Sequence, residues 1–358
     1  MKINFILPSV LKAGGVIVVL EYARRLGRLG HEVRVYYPLL PYSGFLLNEP
    51  SKWKRLFRLR LKPLLGNLLR MTRRIEWLSG PVQVRPIPFI HRLFVGNADA
   101  TIATAWPTAY SVHALPPSKG AKYYLIQHYE TWDSEAARVE GSYLLPLKLI
   151  TIAPWLTALM RSKFSRPVAG EIHNGIDRER FRPGPERSWE SPALLMLFHE
   201  SEWKCSLDGI RILRNLKAAF PQVRVRLFGI SFPTGALQGL EYHRDPAPEF
   251  LLELYRTSHI FLSPSASEGW GLPVVEAMAC GCAVVATRTG CVPLLEPERA
   301  LLASEPGDFR GLQAHMEYLL THADEARAMA GRGIAAARKF DWDESARRLA
   351  GVLSEPAP

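Results

Sequence analysis

The sequence contains no apolar run of the roughly 18 to 20 residues that a membrane-crossing helix needs. Its first residues, Met1-Lys2-Ile3-Asn4-Phe5-Ile6-Leu7-Pro8, read as a strand rather than a signal peptide. A cytoplasmic location is the expectation. Cysteine is scarce: Cys205, Cys280, Cys282 and Cys291 are all there are among 358 residues, and three of them share one apolar stretch. That distribution suits reduced thiols better than a disulfide framework, and Cys280-Gly281-Cys282 alone is a poor basis for a metal site, so no metal is expected. The loop from Pro8 to Gly15 lacks the Gly-x-Gly-x-x-Gly spacing of a dinucleotide site. No pyridoxal-type lysine motif is apparent either, so dehydrogenase-like and phosphorylase-like readings have no cofactor signature to rest on.

Acidic residues are absent from one segment in particular. Between Lys52 and Arg74 there are nine Lys or Arg residues and no Asp or Glu, so most of the excess behind the net charge of +11 lies there. Trp53, Leu56, Phe57, Leu61, Leu64, Leu65, Leu68 and Leu69 are interleaved with these cations. Such a segment can lie on an anionic membrane as an interfacial helix, making the protein peripheral at the inner face of the membrane. Arg60 interrupts the apolar stripe and Pro63 breaks it, so a solvated basic helical hairpin fits equally. No nucleic-acid motif or basic-aromatic pattern accompanies the segment elsewhere, and nucleic acid is not an expected partner.

What is present is a strand and helix alternation that starts twice. A chain of 358 residues, 47% of them hydrophobic, can bury two cores of ordinary size. Strand-like Ile3 to Leu7, a loop with Gly14 and Gly15, an amphipathic helix through about Leu29 and a strand at Glu32 to Tyr37 form a β-α-β unit. Apolar runs at Ala100 to Ala105, Tyr123 to Gln127 and Leu149 to Ala153 extend it into a doubly wound parallel sheet. After a stretch rich in Pro, Gly and charge, the pattern restarts with strands at Ala193 to Phe198, Arg224 to Gly229, Ile260 to Ser263 and Ala283 to Thr287. Helices are expected near Leu207 to Phe220, Pro248 to Thr257 and Leu272 to Ala279, with two more over Asp308 to Phe340. The predicted division is an N-terminal domain over 1–170, a linker over 171–192 and a C-terminal domain over 193–340. Asp341 is a candidate N-cap for the last helix, Trp342 to Leu353.

The most informative stretch runs Ser263-Pro264-Ser265-Ala266-Ser267-Glu268-Gly269-Trp270-Gly271-Leu272-Pro273-Val274-Val275-Glu276. Its logic is strand, turn, helix: Gly269 and Gly271 let backbone approach a ligand closely, and Pro273 suits the first turn of a helix. The unpartnered amides and positive dipole of a helix start suit a phosphate. Glu268 and Glu276 frame that turn, and carboxylates there accept hydrogen bonds from hydroxyl groups such as those of sugars and ribose. Taken alone, both are also compatible with ordinary helix-start and surface roles. The apolar neighbours Val274, Val275, Ala277, Met278 and Ala279 imply a buried helix, inside which a carboxylate must find a polar partner.

This stretch, through Ala277-Met278-Ala279-Cys280-Gly281, resembles the signature of the retaining glycosyltransferases of family 4. Gly14-Gly15, Gly30-His31-Glu32-Val33, Asn174-Gly175-Ile176-Asp177 and Phe340-Asp341-Trp342 fall where that family has similar residues, so the likeness covers nearly the whole chain. The resemblance implies an α/β fold of the GT-B type, two facing Rossmann-like domains with an interdomain cleft. The nucleotide would be held by the C-terminal domain, and a terminal helix, about 341–358, would pack back on the N-terminal, acceptor-side one. It implies sugar transfer with retention from a nucleotide-diphosphate donor to a saccharide or lipid-linked acceptor, without a cofactor or dedicated metal, in cell-envelope polysaccharide or glycolipid assembly. Glu276 would bind the donor ribose, Glu268 the transferred sugar, and the turn at Gly269, Trp270, Gly271 and Leu272 the sugar and diphosphate; Trp270 stands where Phe is usual. Lys204 matches the second member of the family's basic pair for the diphosphate, and His199 stands where the first is normally Arg. His128, at the carboxyl end of a strand, matches a residue that contacts the transferred sugar, with Glu130 a weaker polar candidate and His113 and His173 structural or rim residues. Gly14 and Gly15 would let backbone approach donor phosphate or acceptor, or form a plain turn. The His199 replacement keeps an alternative open: an inactive subunit that binds sugar nucleotide or membrane without turnover.

Overall fold

The computed structural model describes residues 1–10, 13–39, 82–131, 136–231 and 235–354. They divide into two units, Met1–Asn174 together with Trp342–Pro358, and Gly175–Asp341. The basic segment 52–74 lies outside the described residues.

In the first unit short apolar runs become parallel strands: β1 (Lys2–Ile6), β2 (Glu32–Pro38), β3 (Gln83–Ile87), β4 (Ala100–Ala103), β5 (Ala121–Ile126), β6 (Lys148–Thr151) and β7 (Val168–Glu171), in the order β3-β2-β1-β4-β5-β6-β7. Every pairing is parallel, from Ile3 beside Val33 to Thr151 beside Glu171. A parallel sheet needs crossovers, supplied here by α1 (Gly14–Arg28), α2 (Trp106–His113), α3 (Ala136–Leu144) and α4 (Pro154–Phe164). Central strands are near-continuous apolar runs because both faces are covered. Ile3, Phe5, Ile102 and Ile150 are fully buried, and each such side chain contributes about 1.5–3 kcal/mol.

The chain returns to this unit through the helix α10 (Trp342–Ser354). Trp342, Ala346, Leu349 and Leu353 recur at helical spacing and are buried. Trp342 packs edge-on against Tyr22 at 5.3 Å, Arg25 of α1 reaches Asp343 at 2.5 Å, and Ser345 Oγ donates to the His173 carbonyl at 2.6 Å.

The second unit repeats the plan with β8 (Ala193–Leu197), β9 (Arg224–Gly229), β10 (Glu241–Arg244), β11 (Ile260–Ser263), β12 (Ala283–Thr287) and β13 (Leu302–Ser304), again all parallel, in the order β10-β9-β8-β11-β12-β13. Helices α5 (Ser206–Ala219), α6 (Pro248–Thr257), α7 (Leu272–Ala279), α8 (Phe309–Thr321) and α9 (Ala323–Ala337) accompany it. Strand order reverses between β8 and β11, the place in a doubly wound sheet where ligands bind at the carboxyl ends of the strands.

Two features depart from the sequence-based expectation. Of the stretch 171–192, read as a linker, residues 175–192 are strapped onto the second unit. Asp177 Oδ1 accepts the amides of Glu179 and Arg180 at 3.2 and 3.1 Å, the Arg187 guanidinium donates to the carbonyls of Ser258 and Gly281, and the Ser188 carbonyl lies 3.0 Å from His259 Nε2. Its Pro, Gly and charge content signalled an absence of regular secondary structure, which is not the same as an absence of tertiary contact. The other departure is that β3, β7, β10 and β13 were not foreseen, and all four are sheet edges.

Candidate functional site

The carboxyl edge of the second sheet gathers residues from three loops. Lys204 follows β8 in a short helical turn (Glu202–Lys204), and Glu268 follows β11, so the strand-order reversal brings them together. Lys204 Nζ donates to both oxygens of Glu268, at 2.7 and 2.8 Å. Ser265 Oγ donates to Glu268 Oε1 at 2.8 Å, and Ser265 is itself buried. The loops are tied by backbone as well: Ala266 N donates to the Trp203 carbonyl at 2.7 Å, and Thr287 Oγ1 at the end of β12 donates to the Ser265 carbonyl at 2.5 Å. The pair is largely buried, with side-chain exposures of 19% for Lys204 and 12% for Glu268. Its charges therefore act through a medium less screening than water. Lys204, Ser265, Glu268, Gly271, Pro273 and Val274 line one cavity.

The turn that follows is fixed by glycine. Gly271 has φ +89° and ψ +51°, a left-handed conformation that side-chained residues rarely adopt, immediately before Leu272 opens α7. Gly290, not singled out from sequence, is required by close approach: a Cβ there would sit 2.3 Å from the Trp270 carbonyl oxygen. The neighbouring Cys291 amide donates to that same oxygen at 2.7 Å. Trp270 is 3% exposed and its ring packs edge-on against Phe340 at 5.1 Å. The Phe-to-Trp difference is thus absorbed by the interior of the unit, and the turn can meet a ligand through its backbone rather than through that ring.

Glu276 lies partly exposed on α7 and is held by Tyr255 of α6, whose hydroxyl donates to Oε2 at 2.9 Å. Burial raises the Glu276 pKa above the ordinary carboxylate value; the Tyr255 hydrogen bond and the charge of Arg180 act against that rise. His199 follows β8, with its backbone amide donating to Ser206 Oγ at 3.0 Å and its Nδ1 accepting the Ser201 amide at 3.1 Å. Burial and the nearby Lys204 hold its pKa below the usual histidine value. It is therefore disfavoured as a second cation beside Lys204, and with Nδ1 accepting from Ser201 its donor side is Nε2.

His128, Gly14 and Gly15 are in the other unit, at the carboxyl edge of the first sheet. His128 follows β5, packs edge-on against Trp155 at 5.5 Å and has Nδ1 3.3 Å from the Tyr129 carbonyl. Gln127 Nε2 donates to the Thr104 carbonyl at 3.2 Å. A Cβ on Gly15 would come within 3.2 Å of that nitrogen, whereas Gly14 faces open space. Glu130 Oε2 accepts the Trp106 amide at the start of α2 at 2.9 Å, and desolvation pushes its pKa up to about 7. Of the remaining histidines named from sequence, His173 pairs with Glu171 at 2.9 Å, and the His113 carbonyl accepts from Lys122 at 2.9 Å. Sequence reasoning missed Tyr255, Arg180 and Gly290; Ser265 lay within the motif without a role. Only Ser265 had a local signal.

The family described as glycosyl transferase-like matches residues 210–351. In an alignment 420 positions long the chain is 37% identical to the D-inositol 3-phosphate glycosyltransferase of Corynebacterium efficiens, a match covering 97% of this chain and 92% of that protein. The chain belongs to the group 1 glycosyltransferases. A shorter match, 35% identical over 95 residues, joins it to the O-antigen chain mannosyltransferase B of Escherichia coli and spans 26% of this chain and 25% of that protein. The structure of Anabaena Alr3699/HepE in complex with UDP-glucose superposes with a TM-score of 0.73 at 17% identity, covering 99% of each chain. The two Rossmann-like units are those of the GT-B fold. As a group 1 glycosyltransferase, the protein transfers a sugar from a nucleotide-linked donor. Among its described residues no helix is long and apolar enough to cross a membrane.

Proposed function

We propose that this glycosyltransferase retains anomeric configuration, needs no dedicated metal, and passes the sugar to a saccharide or lipid-linked acceptor in cell-envelope polysaccharide or glycolipid assembly. The observation that carries the donor half of the reading is the Lys204–Glu268 pair at the reversal point of the second sheet, one turn away from α7. In this reading Lys204 and the first amides of α7 stabilise charge on the leaving diphosphate. Glu268 accepts hydrogen bonds from the transferred sugar and Glu276 from the ribose. The acceptor hydroxyl attacks the anomeric carbon on the face from which the diphosphate departs. His128 and the Gly14-Gly15 turn serve the sugar and acceptor. UDP-linked sugars lead the candidate donors because Anabaena Alr3699/HepE was crystallised with UDP-glucose.

A second reading, a subunit that binds donor without turning it over, is favoured by one feature, His199 standing where a permanent cation is usual, its pKa held down by burial and by Lys204. A panel of UDP-, GDP- and dTDP-sugars decides between them, read by thermal stabilisation and slow donor hydrolysis in the wild type and in Glu276→Ala. The proposal expects one donor to stabilise and be hydrolysed, with affinity about 10–100-fold weaker in the variant. Stabilisation without hydrolysis or transfer supports the second reading; no response to any donor overturns both.

A further inference from the structure

Tyr255 belongs to α6, 21 residues before Glu276, and its ring is completely buried. Three aromatic rings enclose it: Phe228 at 5.5 Å and Phe181 at 6.3 Å, both edge-on, and Phe261 at 5.9 Å. A phenol enclosed in this way cannot swing, so the position of its hydroxyl is set by the core of the second unit. That hydroxyl donates to Oε2 of Glu276 at 2.9 Å. No other hydrogen bond reaches the Glu276 carboxylate among the described residues, which leaves Oε1 as an acceptor on a partly exposed side chain. A glutamate has three side-chain torsions, and locking one oxygen removes most of that freedom before any ligand arrives.

We propose that Tyr255 is a positioning residue for the donor's ribose: it holds Oε2 of Glu276 so that Oε1 is presented to the ribose hydroxyls, making the site selective for ribonucleoside diphosphates. The inference rests on the reading of Glu276 as the ribose contact. Tyr255 does not touch the donor; it acts through the carboxylate. The charged and titratable groups that face Glu276 are Tyr255 from α6, Arg180 from the strap before β8, and the Cys280 thiol just after α7. Burial raises the pKa of Glu276, and the Tyr255 bond and Arg180 lower it. Removing the hydroxyl therefore raises it further, and the carboxylate is lost at a higher pH than in the wild type. A core tyrosine without this role would change stability but not this pH dependence.

Calorimetric titration tests the assignment. UDP, GDP and ADP are first offered to the wild type, and the tightest binder is compared with its 2′,3′-dideoxy form across a pH series. In Tyr255→Phe, preference for the ribose form is expected to fall about three- to tenfold with dideoxy affinity unchanged, and the acid limb of ribonucleotide binding is expected to move to higher pH. Added to Glu276→Gln, Tyr255→Phe is expected to change preference no further. Equal weakening of both nucleotides, or an acid limb that stays in place, overturns the assignment while leaving the donor reading intact. If the wild type binds none of the three nucleotides, the donor reading falls and this inference falls with it. Should Tyr255→Phe not fold, 3-fluorotyrosine at position 255 serves instead: its stronger donor must move the acid limb to lower pH, and an unmoved limb counts against the assignment.

Discussion

The carboxyl edges of the two sheets are built alike in topology and differently in chemistry. On the second, the central groups are ions already engaged with one another, Lys204 with both oxygens of Glu268, backed by Ser265. On the first, they are aromatic rings, an amide and a carboxyl with no cation held against it among the described residues: His128 against Trp155, the Gln127 amide beside Gly15, and a Glu130 whose pKa is pushed up to about 7 by desolvation. Both sheets place a strand-order reversal between their first and fourth strands, β1 and β4 in one and β8 and β11 in the other. The same fold can therefore present a fixed cation for an anionic ligand or an amphipathic surface for an uncharged one, according to which side chains leave the strands at that point.

The comparison breaks most readily at Lys204. If the second edge serves a leaving diphosphate, Lys204→Ala lowers the rate of sugar transfer by about 10²–10³-fold. A turnover number within threefold of wild type would show that the ion pair is structural. Glu130→Gln sharpens the contrast from the other side. A carboxyl with an ordinary pKa of 4.5 that titrates at about 7 in the folded chain keeps its proton when the unfolded chain has lost it. The contribution is thus fully present below 4.5 and declines as pH rises through 7, by about 1–2 kcal/mol once partial exposure is allowed for. Thermal unfolding at pH 5 and pH 8 should show this decline in the wild type and a shallower one in Glu130→Gln; identical slopes would mean that the carboxyl is ionised throughout. The smallest effect is expected at the first turn of α1. Gly14→Ala meets open space and stabilises by a few tenths of a kcal/mol, whereas in Gly15→Ala the methyl's approach to the Gln127 amide cancels that gain. Equal melting temperatures would show that Gln127 moves aside at no cost.

The central strands were legible because their signal is local. Phe5 and Ile6 in β1, Tyr123 to Ile126 in β5 and Val284 to Ala286 in β12 are apolar on successive residues, as strands covered on both faces must be. The four strands that escaped, β3, β7, β10 and β13, are the four edges. Gln83-Val84-Arg85-Pro86-Ile87 and Glu241-Tyr242-His243-Arg244 keep polar residues because one flank faces outward, so their composition matches that of loops.

The candidate site divides the same way. Glu268, Gly271, Pro273 and Glu276 announce strand, turn and helix within 9 residues, and the conformation each requires is imposed by its immediate neighbours. The sequence by itself therefore determined the alternation of elements, the cores of both sheets and the turn that carries two carboxylates. Only the tertiary structure decided what those carboxylates touch: Lys204 lies 64 residues from Glu268, and Tyr255 lies 21 from Glu276 on a different helix. Charge pairing, desolvation and the protonation of Glu130 and His199 depend on which distant atoms exclude water from a group. Burial is a property of the packed chain, and no local stretch of sequence encodes it.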